Sequence, residues 1–303
     1  MKNKKIYLIF GVLAIIIIAG IFLQPKNDNA KNNTTSIGSQ SKKLIPVDTV
    51  THGHGLATDP NDPMKLYIAT HEGLFVLVNE KQLYRVGDSR DDYMGFSSHP
   101  KDPKILFTSG HPVGGGNVGF QKSEDGGFSW TKLADGVDGP VDFHAMSVSP
   151  ANPDVVYGWY RGALQRTTDG GKTWVIVGKT KFVVVGLTAD PKDENVLYAV
   201  SPQGLFVTRG KGSSWNRLME GFVSAVGVSP SDSQSLLSFS EQQRLAKSND
   251  GGKTWQKMDE SFNGEVPLFI AFQRQNPKIV YTLTEKNSIY KSIDSGTNWN
   301  KIH

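Results

Sequence analysis

Eight residues of this chain carry side chains suited to metal binding or acid–base work and recur at matched places: His52, His54, His71, Asp92, Met94, His111, Asp142 and His144. The matching follows from repetition in the sequence. With the copies aligned on the turn after their first apolar strand, His54 falls opposite Met94 and His144, then opposite Val185, Ser224 and Leu268. His52 falls opposite Asp92 and Asp142, then opposite Val183, Phe222 and Val266. One strand later, His71 aligns with His111 and then with Arg161. Three consecutive copies thus place His, Met and Asp where the next three are mainly apolar. Imidazole and thioether are transition-metal ligands, so His52, His54, Met94 and His144 are the expected metal set, for copper or zinc, with the thioether leaning to copper. His71, His111 and Arg161 are expected to hold a ligand. Asp92 and Asp142 are the pair that a glycosidase would use, one as acid and one as base or nucleophile. A binding module without chemistry, holding a small ligand, a glycan or a protein, is the third reading.

The elements that must position these residues are short strands. Each copy opens with an apolar strand, a Pro-containing turn and a second strand with an aromatic, as in GLATDPNDPMKLYIAT, GFSSHPKDPKILFTSG and AMSVSPANPDVVYGWY. It then closes on a turn ending in Trp: SEDGGFSW, TTDGGKTW, SNDGGKTW and SIDSGTNW, with a decayed TRGKGSSW between the second and third. These tryptophans stand at 130, 174, 215, 255 and 299, a spacing of about forty residues. Period-two alternation with Gly, Asp and Pro punctuation predicts an all-β chain. Four strands per forty-residue copy is the spacing of a propeller blade, and about six blades close into a single ring over 44–303. Residues i and i+2 of a strand share one side, and in an antiparallel blade the start of strand one meets the end of strand two. The aligned residues therefore converge on one mouth of the central channel. His99 falls in the turn of the opposite face, and His303 is the terminus.

The S/T-x-D-x-G-x-x-W turns resemble the BNR/Asp-box repeats of sialidases, xyloglucanase-type glycosidases, sortilin-like domains and photosystem-assembly propellers. The strings HGLATDP, ATHEGLF, MGFSSHP, SGHP and DFHAMSVSP resemble a group of exported bacterial proteins that carry a generic glycosyl hydrolase label. The resemblance covers about residues 50–303 and implies the fold more than any activity. A sialidase would need three arginines and a Tyr–Glu pair, and only Arg161 maps to the mouth. A xyloglucanase of this type needs two large propellers, and this chain has room for one. Asp125, Asp169, Asp250 and Asp294 sit in the turns, where an Asp accepts backbone N–H groups. One device used in four copies is a scaffold rather than an active centre. The extra residues around Gly114–Gly116 and Asn117 lack the lysine and helix start of a phosphate loop and read as a mobile lip between strands.

Composition narrows the remaining choices. The 303 residues contain no cysteine, which removes disulfides, thiolate metal sites and a lipid-modified N-terminal cysteine. The net charge of +4 lies in the tail: residues 1–43 hold seven lysines against the single acid Asp28, leaving 44–303 slightly acidic. Nucleic acid is therefore not expected as a partner. Ile6–Leu23 is an uncharged apolar run behind three lysines, without an A-x-A-like site after it. Residues 1–23 are accordingly expected to be a transmembrane signal anchor, or else a signal peptide, with 24–43 a polar tether and the body outside the cytoplasm. The body would be secreted if the segment is cleaved, and a monomer is expected.

Overall fold

The computed structural model describes residues 42–258 and 262–303. The expected anchor, and all of the tether but its last two residues, lie outside the described residues. Among the described residues no helix is long and apolar enough to cross a membrane.

Six antiparallel sheets form the six blades of a propeller, so the expected architecture is met. Blade one runs Gly53–Thr58, Lys65–Thr70, Gly73–Val78 and Gln82–Val86, with Leu44–Pro46 added on its outer edge. Blade two runs Asp92–Ser98, Leu106–His111, Phe120–Ser123 and Thr131–Ala134. The first strand of every blade is innermost, and the six line a central channel of about 190 Å³. Strand register reproduces the alignment made from sequence: Gly55, Ala145, Gly186, Ala225 and Phe269 occupy equivalent rungs against their second strands.

Blades adhere through apolar clusters that each draw on two neighbours. Phe107 and Phe120 of blade two pack with Phe143, Met146 and Val156 of blade three, and Trp174 lies against the same cluster. The ring is closed by packing rather than by a shared strand. Leu66, Ile68 and Phe75 of blade one meet Tyr281, Leu283 and Ile289 of blade six. Gly53 N–H donates to Asn287 Oδ1 across this seam at 3.0 Å.

The Asp-containing turns explain how blade spacing is kept. Asp169 Oδ1 accepts from the backbone N–H of Lys172 and Thr173, both at 3.0 Å, and from Thr167 Oγ1 at 2.7 Å. Gly171 has φ of 98°, and a Cβ there would stand 2.0 Å from the Phe120 ring of the preceding blade. Trp174 Nε1 donates to Gly171 O at 3.0 Å. Asp125, Asp250 and Asp294 accept in the same way. In the decayed copy Gly210 replaces the Asp, yet Gly212 N–H still donates to Thr208 Oγ1 at 3.0 Å. Losing the carboxylate hands the exposed N–H groups of Lys172 and Thr173 to water, so Asp169→Ala is expected to cost about 0.5–1.5 kcal/mol in denaturant unfolding while leaving binding at the distant mouth unchanged. A variant of unaltered stability that has lost mouth binding would contradict a scaffold role.

Candidate functional site

A β-bulge recurs in the inner strands at one place. Register slips between Gly53 and Gly55, Tyr93 and Phe96, Val223 and Ala225, and Pro267 and Phe269. The residue left over is His54 in blade one and its counterparts Ser224 and Leu268; in blade two Met94 and Gly95 fall in the slip. A bulge re-aims its side chain, and here it does so in polar and apolar blades alike, so the scaffold supplies the geometry and the sequence supplies the chemistry. His52 adds a second irregularity, a φ of 32°, where residues other than Gly are uncommon.

These backbone features gather His52, His54 and His71, with one nitrogen from each ring, all within 4.8 Å of one another. His52 and His71 stack with centroids 4.7 Å apart, and His54 meets His71 edge-on at 4.1 Å. His54 Nε2 lies 2.9 Å from His71 Nε2. The other nitrogen of His71, Nδ1, lies 2.6 Å from Asp92 Oδ2 of the next blade. With Nδ1–H donated to the carboxylate, the Nε2 lone pair of His71 is left facing the other two rings. Burial, and then the neighbouring imidazoles, push the His54 pKa down to about 2, and burial pulls His52 down as well. His52 and His54 are thereby favoured in the neutral form, which is the ligand form.

A second cluster forms between blades two and three. Asp142, 3% exposed, has Oδ2 2.5 Å from His144 Nε2 and 3.0 Å from His111 Nε2. His111 Nδ1 lies 2.8 Å from Gly116 O, so both nitrogens of that ring face acceptors. The hydrogen bond to Asp142 is the main cause lifting His111 to about 9, against the opposing cost of burial. Asp142 is drawn down to about 2 by the two imidazoles, although burial opposes this. The cluster is therefore an ion pair with a second imidazole attached. Its three ligand atoms are also within reach of one ion.

The geometry sorts the eight residues differently from the roles read off the sequence. His52 and His54 join His71 rather than His144, and His144 joins His111 and Asp142. Met94 is buried, at 8% exposure, and is not among the residues lining the channel. Asp92 and Asp142 belong to different clusters. Arg161 stands at the rim with its guanidinium 5.0 Å from the Tyr160 ring centre. His99 caps its own turn on the opposite face, where its Nδ1 accepts from Lys101 and Asp102 N–H.

Two features escaped sequence reading. The Gly114–Gly116 segment, read as a lip, supplies the carbonyl that holds His111, and Asn117 Nδ2 ties it to Pro140 O and Tyr160. Being an insertion, it has no counterpart in the other copies to align with. Glu265 and Glu285 bring two carboxyls to the same end of blade six, Glu265 accepting from Thr284 Oγ1 and Glu285 from Val266 N–H. Glu285 aligns with His71, a signal that the comparison of copies contained.

No family model matches the chain, and no curated protein does. Solved structures match its fold. A GH74 enzyme of Niastella koreensis aligns at 18% identity and TM-score 0.57, over 82% of this chain and 46% of the enzyme. The GH74 xyloglucanase of Xanthomonas campestris aligns at 15% identity and TM-score 0.54, over 86% of this chain and 56% of the enzyme. YCF48 bound to D1 peptide aligns at 16% identity and TM-score 0.56, over 86% of this chain and 84% of that one. The chain thus spans about half the length of the two enzymes. At these identities the likeness shows a shared propeller fold.

Proposed function

We propose that this chain is an exported, membrane-tethered β-propeller that binds a transition-metal ion at its channel mouth through His52, His54 and His71. The observation that carries the reading is the three-imidazole group with Asp92 on the far nitrogen of His71. Metal-binding histidines characteristically donate their second N–H to a carboxylate, which fixes the tautomer and the ring. Three imidazoles with an open fourth position suit zinc and copper alike. Protein purified without a His-tag and dialysed against micromolar zinc or copper should retain about one ion per chain. The His99→Ala variant should retain it equally, because His99 lies on the other face. Retention of no ion, or its loss in His99→Ala, would overturn the reading.

The hydrolase alternative asks for a carboxyl held protonated to act as acid. Asp142 is pulled the other way, and Asp92 is occupied by His71. A plain binding site for a peptide or glycan at the mouth, in keeping with the peptide-bound and xyloglucanase neighbours, is the second reading. It differs from the first in needing no metal.

The tether rests on the lysine-flanked apolar run Ile6–Leu23 and the polar stretch behind it. Protease added to intact cells should digest the propeller of the full-length chain, or find it in the medium if the segment is cleaved. Full protection until lysis would place the body in the cytoplasm and refute export.

A further inference from the structure

Blade one begins differently from its neighbours, and the difference falls between two of the metal-binding histidines. In blades five and six the hairpin after the second strand holds the start of the same blade's inner strand. Glu241 N–H donates to Phe222 O and Glu285 N–H to Val266 O, each at 3.0 Å. Phe222 and Val266 are the counterparts of His52. His52 itself turns to a φ of 32°. The next N–H, that of Gly53, is held from across the seam by Asn287 Oδ1 of blade six at 3.0 Å. A residue other than Gly at positive φ is costly and persists where its surroundings impose it.

The imposing contacts come from blade six. A Cβ on Gly53 would stand 2.4 Å from Leu283 Cδ2, so blade six packs directly against this backbone. Asn287 is fixed in its turn. Its φ is 63°, a conformation that Asn tolerates, and its N–H donates to Thr284 O at 2.9 Å. Thr284 Oγ1 accepts from Ser288 N–H at 3.1 Å and donates to Glu265 Oε2 at 2.6 Å, Thr284 and Glu265 both being buried. Glu265 thus anchors the hairpin that carries Asn287, and Asn287 anchors the one residue between His52 and His54.

We infer that Asn287 is a positioning residue of the metal site, fixing from blade six the backbone that aims His52 and His54 at His71. It acts through Gly53 and not as a ligand. Rotation of the peptide at Gly53 would re-aim both rings, which now bring one nitrogen each within 4.8 Å of the other and of a His71 nitrogen. The site is thereby tied to closure of the ring, because the donor belongs to the first blade and the acceptor to the last. The inference rests on the metal-binding reading of the mouth.

Three variants of the full-length protein separate positioning from general support of the seam. Asn287→Gly keeps the left-handed φ and removes the acceptor, whereas Asn287→Asp keeps an acceptor oxygen in its place. Tyr281→Phe is the control. It removes a hydroxyl that donates to Pro63 O at 2.7 Å on the same seam, at the end away from the mouth. In metal-free protein, hydrogen–deuterium exchange of residues 50–56 is expected to quicken about 2–10-fold in Asn287→Gly, as for one lost hydrogen bond, and to return to the parental rate in Asn287→Asp. Zinc affinity, from competition against a chromophoric chelator, is expected to fall about tenfold in Asn287→Gly, to recover in Asn287→Asp and to stay unchanged in Tyr281→Phe. Parental zinc affinity in Asn287→Gly, whatever its exchange rate, would overturn the inference. An equal loss of affinity in Tyr281→Phe would also overturn it, by showing that the seam as a whole supports the site. A parent that holds no zinc refutes the metal reading and with it any role in metal binding, while exchange in the metal-free protein decides separately whether Asn287 holds Gly53.

Discussion

His71→Ala is expected to strip the mouth of stoichiometric metal, and Asp92→Asn to leave the ion bound about 10–100-fold more weakly. The two differ because the residues touch different things. His71 presents Nε2 to the other imidazoles, 2.9 Å from His54 Nε2, so its loss removes a ligand. Asp92 touches only the far side of that ring, through Oδ2 at 2.6 Å from Nδ1, so its loss frees the ring's tautomer and orientation. His111→Ala should weaken binding less than Asp92→Asn, since His111 belongs to the neighbouring cluster. Competition against a chromophoric chelator gives all three affinities. Equal losses in His71→Ala and His111→Ala, or none in either, would show that the ion is held elsewhere. Proton competition at His52 and His54, whose pKa values burial holds below the ordinary imidazole value, should weaken binding only at pH more acid than that value.

Asp142→Asn is expected to be the most destabilising change at the mouth, by about 2–3 kcal/mol near pH 6. Breaking a fully buried charge pair costs roughly 3–5 kcal/mol, and His111 is open enough to water to reduce that. The pH dependence follows from both partners. His111 has its folded pKa raised to about 9, so its contribution is complete below its ordinary value of 6.5 and fades as pH rises through about 9. Asp142 has its folded pKa lowered to about 2, so its contribution is present above the ordinary carboxylate range and is lost as pH falls through about 2. The melting-temperature gap between wild type and Asp142→Asn should therefore be widest between about pH 4 and 6.5 and close above about 9. A gap that grew towards alkaline pH would mean that His111 is not the protonated partner.

The blades were legible because each repeats a device whose physics is local. A Trp after an Asp-Gly turn every forty or so residues, and a Pro turn between two apolar strands, fix strand count and spacing without reference to distant contacts. The convergence of His52, His54, His71, His111 and His144 was legible for a related reason: equivalent rungs of a ring face one mouth, whatever occupies them. The grouping within that mouth was not legible. Strict alternation along a strand has no place for the bulge at His54 or the left-handed φ of His52, and both re-aim side chains by less than one residue of register. The Gly116 carbonyl that fixes His111 comes from an insertion outside the repeat.

The claim that His52, His54 and His71 hold a metal ion is tested most directly by anomalous diffraction from crystals grown with zinc or copper, recorded on both sides of the metal edge. The account predicts a single strong anomalous peak within about 2.0–2.2 Å of one nitrogen from each of the three rings, with Asp92 still on His71 Nδ1. A peak centred instead on Asp142, His111 and His144, or no peak at the mouth in protein saturated with metal, would contradict it.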